Sequence, residues 1–289
     1  MKRRKKQGLR QNKVFRNTHK LARLIKFART EKYSSSKLAG IFSCNRKTIF
    51  KALKTNGVFL PNLGRFKKTI YCDTEFFTKL SPISAYWAGF IAADGCLSYR
   101  GKMLSIGLNE RDAGHLNKFA KAIKTNAKIW YTQCNNSVHI GIYSEKIFDS
   151  LLNLGITPNK SLSIDNVNIP RQLMSHFIRG VFDGDGYIGG RKVTHVQLFI
   201  SGNRPFLQRI QSILIKECGI NKVNLYPLYP LGANKGYKLQ YTGSQAFRIL
   251  NFLYKNSCTR TRLQRKYRRM LDLRKKFGKH IIKKANKAK

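Results

Sequence analysis

The sequence predicts an α+β fold of two αββαββα units in tandem, each with an antiparallel sheet, behind a small α-helical module. Three observations predict it. Two similar glycine-bearing stretches end in Asp94 and Asp185, which stand 91 positions apart (185 minus 94), a length suited to one compact subdomain repeated once. After each stretch the same order of patterns recurs: alternating segments such as LSIGL, VHIGIY, VQLFIS and KLQYTG read as strands, and the intervals between them carry helical spacing. A hydrophobic content of 42% in 289 residues supplies one sizeable core or two smaller ones plus an appended module.

The elements follow in chain order. Residues 1–60 are read as a basic arm and a helical module. A helix over Thr18–Arg29 puts Leu21, Leu24, Ile25 and Ala28 on one face. SSKLAGIF and RKTIFKALK then form two short helices around a break at Ser43-Cys44-Asn45, with Gly57 as the helix stop. Leu38, Ile41, Ile49 and Leu53 are expected to form their shared apolar face, leaving Arg46, Lys47, Lys51 and Lys54 outward. This layout resembles a helix-turn-helix, whose second helix would enter a DNA major groove; a plain helical hairpin is the alternative. Residues 61–83 are a Pro/Gly-containing linker and lead-in, 84–156 the first unit, 157–170 the connector, 171–258 the second unit, and 259–289 a basic helix and tail.

Charge narrows the partners. Against 57 Lys+Arg stand 13 Asp+Glu, a formal net charge of +44 spread along the chain. Such an excess fits nucleic acid, because each phosphate neutralised releases condensed counterions. Cys44, Cys72, Cys96, Cys134, Cys218 and Cys258 are scattered singly, without zinc-ligand spacing, and are expected to be reduced. The apolar run Ala85–Ala93 is too short to span a bilayer, so a soluble, intracellular, DNA-associated protein with no membrane partner is expected. The aromatic residues are expected in packed cores rather than on base-stacking platforms.

The two stretches, WAGFIAADG (87–95) and IRGVFDGDG (178–186), share small residues four apart, an acid and a terminal glycine. Gly89/Ala93 and Gly180/Gly184 clear one stripe of each helix, so two backbones can approach closely. That brings Asp94 and Asp185 side by side at two helix C-termini, where the negative helix ends and mutual repulsion disfavour two carboxylates. A divalent cation would relieve the repulsion. Hard oxygen ligands select Mg²⁺, with Mn²⁺ as a substitute, and phosphodiester hydrolysis is the matching reaction.

These blocks, with their flanks IYCDTEFFTKLSPISAYWAGFIAADG and IPRQLMSHFIRGVFDGDGYI, resemble the paired motifs of single-chain, double-motif LAGLIDADG homing endonucleases, over roughly residues 70 to 270. The resemblance implies a monomer whose two sheets form a saddle over double-stranded DNA, and an enzyme cutting both strands at a long target. It implies that Asp94 and Asp185 are the catalytic metal-binding acids, with Gly95 and Gly186 beside them as metal-site positions. It also implies a supporting lysine near the end of a last strand: Lys238, or else Lys235, with His139 at the matching place in the first half. In the first motif Ala92 replaces an earlier acid that Asp183 retains; Asp183 is either a partner of the site or a surface cap. Arg100, Lys102, Arg191 and Lys192, in the loops between paired strands, are further expected DNA contacts. The alternative is a catalytically silent nucleic-acid-binding protein on the same scaffold, an intron maturase holding intron RNA or a DNA-binding regulator.

Overall fold

The computed structural model describes residue 15 and residues 17–30, 33, 35–58, 71–99, 101–158, 164–190, 196–228 and 236–286, with side chains to residue 277. The chain divides into two compact units, 1–69 and 70–289.

In the first unit α1 (Thr18–Arg29), α2 (Ser35–Ile41) and α3 (Arg46–Thr55) enclose their own core of Phe15, Leu24, Ala28, Leu38, Ala39, Ile49, Ala52 and Leu53. Asparagine starts two of the helices. The Asn17 side chain accepts from the amides of His19 and Lys20, and that of Asn45 from Thr48 at 2.9 Å, satisfying donors that a helix start leaves open. Gly57 adopts φ +66° just past α3, as a helix stop requires. Ile41 departs from the expected apolar face: it is 41% exposed. It is the last residue of α2, and the half-buried Phe42 takes its place, with its ring 5.6 Å from Phe15 and 6.2 Å from Phe27.

The second unit contains the expected repeat. Its first half runs α4 (Pro82–Asp94), β1 (Gly95–Ser98), β2 (Met103–Asn109), α5 (Ala113–Ala122), β3 (Trp130–Thr132), β4 (Ser137–Tyr143) and α6 (Glu145–Asn153). The second half runs α7 (Met174–Asp185), β5 (Gly186–Gly189), β6 (Gln197–Gly202), α8 (Arg204–Cys218), β7 (Tyr226–Pro227), β8 (Tyr237–Thr242) and α9 (Gly243–Tyr254). The sheets have equivalent antiparallel orders, β1-β2-β4-β3 and β5-β6-β8-β7. A short 3-10 turn, Thr259–Thr261, and a long helix, α10 (Gln264–Asn286), follow the repeat. No described helix is long and apolar enough to cross a membrane.

Strand alternation does the packing. Leu104, Ile106, Val138, Ile140, Ile142, Leu198, Ile200, Leu239 and Tyr241 point into one continuous core, and the alternate residues lie on the outer faces. Those faces correct the expectation about aromatic residues: Trp130, Tyr187 and Tyr226 are 47%, 44% and 51% exposed. Alternation sets them outward once the register is fixed, which composition alone does not reveal.

α4 is apolar all round, begins at Pro82 under a Ser81–Ser84 capping box, and is buried from Ser84 to Ala92. Its partner is α7. A methyl group added at Gly89 would overlap the Phe177 carbonyl oxygen, and one at Gly180 would overlap the Tyr86 carbonyl oxygen and stand 2.6 Å from the Phe90 nitrogen. The two helices therefore meet backbone to backbone. Gly180→Ala should lower stability by about 3 kcal/mol, because rigid backbone rather than a side-chain end must yield; Gly114→Ala in α5, where a methyl meets nothing within 4 Å, should stabilise by about 0.5 kcal/mol. Denaturant titration of both variants checks this, and equal effects would contradict it.

Candidate active site at the helix seam

The seam ends at the two acids. A methyl group at Gly184 would run into the Ala93 side chain and lie 3.2 Å from Asp94 Oδ2. The Asp94 carboxylate thus sits against the last turn of α7, one residue before Asp185. Asp94 is half-buried and Asp185 exposed. Each helix passes directly into an inner edge strand, so the register that follows is fixed on both sides.

That register locates the expected supporting residues. Gly95 pairs with Ile106 and Ile106 with Ile140, so the level of Asp94 continues through the pair Gly107–His139. Gly186 pairs with Ile200 and Ile200 with Leu239, so the level of Asp185 continues through the pair Ser201–Lys238. Lys238 and His139 therefore hold equivalent places, each two strands from an acid on an outer sheet face. Lys238 Nζ lies 5.8 Å from the Tyr226 ring and 5.9 Å from the Phe199 ring. His139 stacks on Trp130 at 5.7 Å, and its Nε2 lies 2.7 Å from Ser137 Oγ.

Among the expected DNA contacts, Arg46, Lys47, Lys51 and Lys54 are exposed on α3 of the first unit. Lys102 is engaged elsewhere: its Nζ lies 3.2 Å from Asp149 and 4.0 Å from Glu145, over the Phe148 ring. Arg100, Arg191, Lys192 and Lys235 lie outside the described residues.

Behind the acids is a buried polar cluster that the sequence does not announce. Asp183 is 1% exposed and accepts from Tyr86 Oη at 2.9 Å, Tyr254 Oη at 2.6 Å and the Leu263 amide at 2.7 Å. It is no surface cap. Burial raises its carboxyl above the ordinary range, against the pull of Lys266 and these hydrogen bonds. The fully buried Arg179 donates to the carbonyls of Thr261 and Leu253, both at 2.7 Å, and to Thr261 Oγ1 at 3.1 Å. Lys266, 4% exposed, donates to the carbonyls of Phe182 at 2.7 Å, Asp183 at 2.8 Å, Gly184 at 3.2 Å and Gly186. The Gly186 carbonyl, an expected metal-site position, is thus already hydrogen-bonded. Burial brings the Lys266 ammonium down to about 8, while Asp183, Asp94 and Asp185 favour its charged form.

The segment that carries these partners, residues 258–266, straddles the two halves. Lys118 Nζ donates to the Arg262 carbonyl at 3.1 Å, and Arg265 pairs with Asp112 at 2.9 Å. Tyr86 extends the cluster to His115, whose Nε2 lies 2.8 Å from its hydroxyl. Since Tyr86 donates to Asp183, His115 donates from Nε2. The five cysteines with described side chains are unpaired.

Neither a protein-family model nor any curated protein matches the sequence. Solved structures with a similar arrangement include full-length DUF199/WhiA from Thermatoga maritima (16% identity, 71% of this chain and 64% of that one, TM-score 0.46). Others are the meganuclease I-SmaMI bound to uncleaveable DNA (16%, 73% and 91%, TM-score 0.47) and the I-LtrWI LAGLIDADG homing endonuclease bound to target DNA (11%, 69% and 90%, TM-score 0.41). The chain spans 64% of the length of WhiA. The doubled αββαββα architecture itself rests on the strand order and register of this chain.

Burial, then Lys118, Arg265 and Lys266, hold His115 down to about 3, well below the free imidazole. An unfolded chain takes up this proton below pH ~6.5 and the folded one does not until near its own lowered value, so stability is full above pH ~6.5 and falls as the pH drops. Asp183 contributes with the opposite sign, so the histidine share is the difference between wild type and His115→Gln. Denaturant titrations at pH 7 and pH 5 should show a loss for the wild type exceeding that for His115→Gln by about 1–2 kcal/mol. Equal losses would refute the assignment.

Proposed function

We propose that the unit spanning 70–289 is a LAGLIDADG-type endonuclease that hydrolyses both strands of a DNA duplex at a long target. The observation that carries this reading is the Asp94 carboxylate lying against the last turn of the partner helix, one residue before Asp185. Each acid serves one strand.

The two acids at the helix ends are carboxylates, hard oxygen donors that fit Mg²⁺ or Mn²⁺. Among the described residues no third acid, histidine or cysteine joins the pair, so Asp94 and Asp185 would hold the ion together with phosphate oxygens and water. Bound there, it supplies a lowered water pKa and charge neutralisation of the leaving oxygen. The protein's own work is placement. The glycine seam sets the spacing of the acids, and the sheet register sets Lys238 at the level of Asp185 and His139 at the level of Asp94, each two strands away. Lys238 can hydrogen-bond an attacking water or a phosphate oxygen; His139 is engaged with Ser137 and stacked on Trp130, so the two strands meet unequal support.

The exposed outer faces, with Ser105, Gln197, Lys238 and Gln240 on alternate positions, offer donors and acceptors to base edges as the two sides of a saddle. The first unit adds a helix-turn-helix: α2 and α3 joined by a four-residue turn with Ser43 at φ +47°, and four cations on the outer face of α3. It extends the footprint and its salt dependence.

Asp94→Asn and Asp185→Asn should each abolish double-strand cleavage of a selected target while binding stays within about threefold of wild type; full cleavage by both single variants would sink the enzyme reading, and binding without cleavage by the wild type would favour a silent regulator. Lys47→Ala/Lys51→Ala should weaken binding about tenfold at 0.15 M salt and flatten its salt slope by up to two counterions. An unchanged slope would remove α3 from the interface.

A further inference from the structure

Lys266 belongs to neither copy of the repeat, yet its ammonium occupies the exit of α7. A helix ends with carbonyls that no residue of its own satisfies. Here the three carbonyls preceding Asp185, and the Gly186 carbonyl after it, all accept from one side chain. An ammonium has three donors, so at least one is shared and the group has no valence left for water. Its placement is imposed from outside the helix: Arg179 holds the Thr261 carbonyl, Asp183 holds the Leu263 amide, and α10 begins at Gln264 with Met270 and Leu273 buried beneath it. A buried lysine is costly unless a specific charge needs it.

We propose that Lys266 is a positioning residue for the second half of the site: it fixes the turn on which Asp185 is mounted. The inference rests on the endonuclease reading for its catalytic consequence, but not for its structural one. Since all four carbonyls belong to α7 and β5, the effect falls on Asp185 more than on Asp94.

The test uses the full chain with Lys266→Met, which keeps length and apolar bulk, and Lys266→Gln, which keeps two donors without charge. Lys118→Met is the control, because Lys118 anchors the same segment through the Arg262 carbonyl without touching the α7 exit. Hydrogen exchange of the Gly186 amide, which donates to the Phe182 carbonyl shared with Lys266, is expected to quicken about tenfold in Lys266→Met. Amides of β2 and β4 should be unchanged, and Lys118→Met should leave Gly186 protected. In single-turnover cleavage with saturating protein and Mg²⁺, the strand served by Asp185, identified as the one cut more slowly by Asp185→Asn, should slow about 100-fold in Lys266→Met. The other strand should change by less than about threefold, so that a nicked intermediate accumulates. Equal slowing of both strands in proportion to lost stability, or an unchanged Gly186 exchange rate, would overturn the proposal. So would a Lys266→Gln protein that cannot fold, since the lysine would then be a folding requirement and nothing more. A wild type that cuts neither strand would instead defeat the endonuclease reading, and the exchange measurement would still decide what Lys266 holds.

Discussion

The close approach of α4 and α7 is the constraint from which the rest of the second unit follows. With Gly89 against the Phe177 carbonyl and Gly180 against the Tyr86 carbonyl, the spacing of the helices is set by backbone, which cannot flex as side chains do. Two consequences come directly. The acids at the helix ends are brought together by the backbone of the seam, and each edge strand starts from a fixed point, so a slip of one residue would turn a buried face outward.

Bringing negative helix ends and carboxylates together is unfavourable, and the buried cluster behind them is the counterweight. Asp183, Arg179 and Lys266 satisfy one another's surroundings through tyrosine hydroxyls and backbone groups instead of through a simple ion pair. Removing one partner from such a network costs about 3–5 kcal/mol, because the remaining charge is left in low dielectric. The cluster also ties residues 258–266 across the seam, so the segment after the repeat is part of the core rather than an appendage.

Much of this was legible in the sequence. Period-two alternation in LSIGL, VHIGIY, VQLFIS and KLQYTG placed the strands, and aligning SVHIGIYSEK with GYKLQYTGSQ already set His139 against Lys238, as the register does. Small residues four apart announced the seam because only a close backbone approach needs them. What stayed hidden was long-range. Arg179 stands out as a cation inside an apolar stretch and could have been flagged with Asp183, one helical turn later on the same face. Lys266 could not: in QRKYRRMLDLRKK it is one cation among many, and only the packing of α10 separates it from its solvated neighbours. Ile41 was misplaced for a related reason, since helical spacing cannot foresee that Phe42, beyond the helix end, would claim the core.

The two halves share a topology but have divided their labour. Ala92 stands where Asp183 is in the partner, so the first motif helix has no acid with which to grip a following segment, and one strap serves both. Two copies of the first half would therefore keep the small residues of the seam but lack the carboxylate that holds the Leu263 amide. The asymmetry is therefore structural: with Asp183 in one motif helix and Ala92 in the other, neither half can stand in for its counterpart.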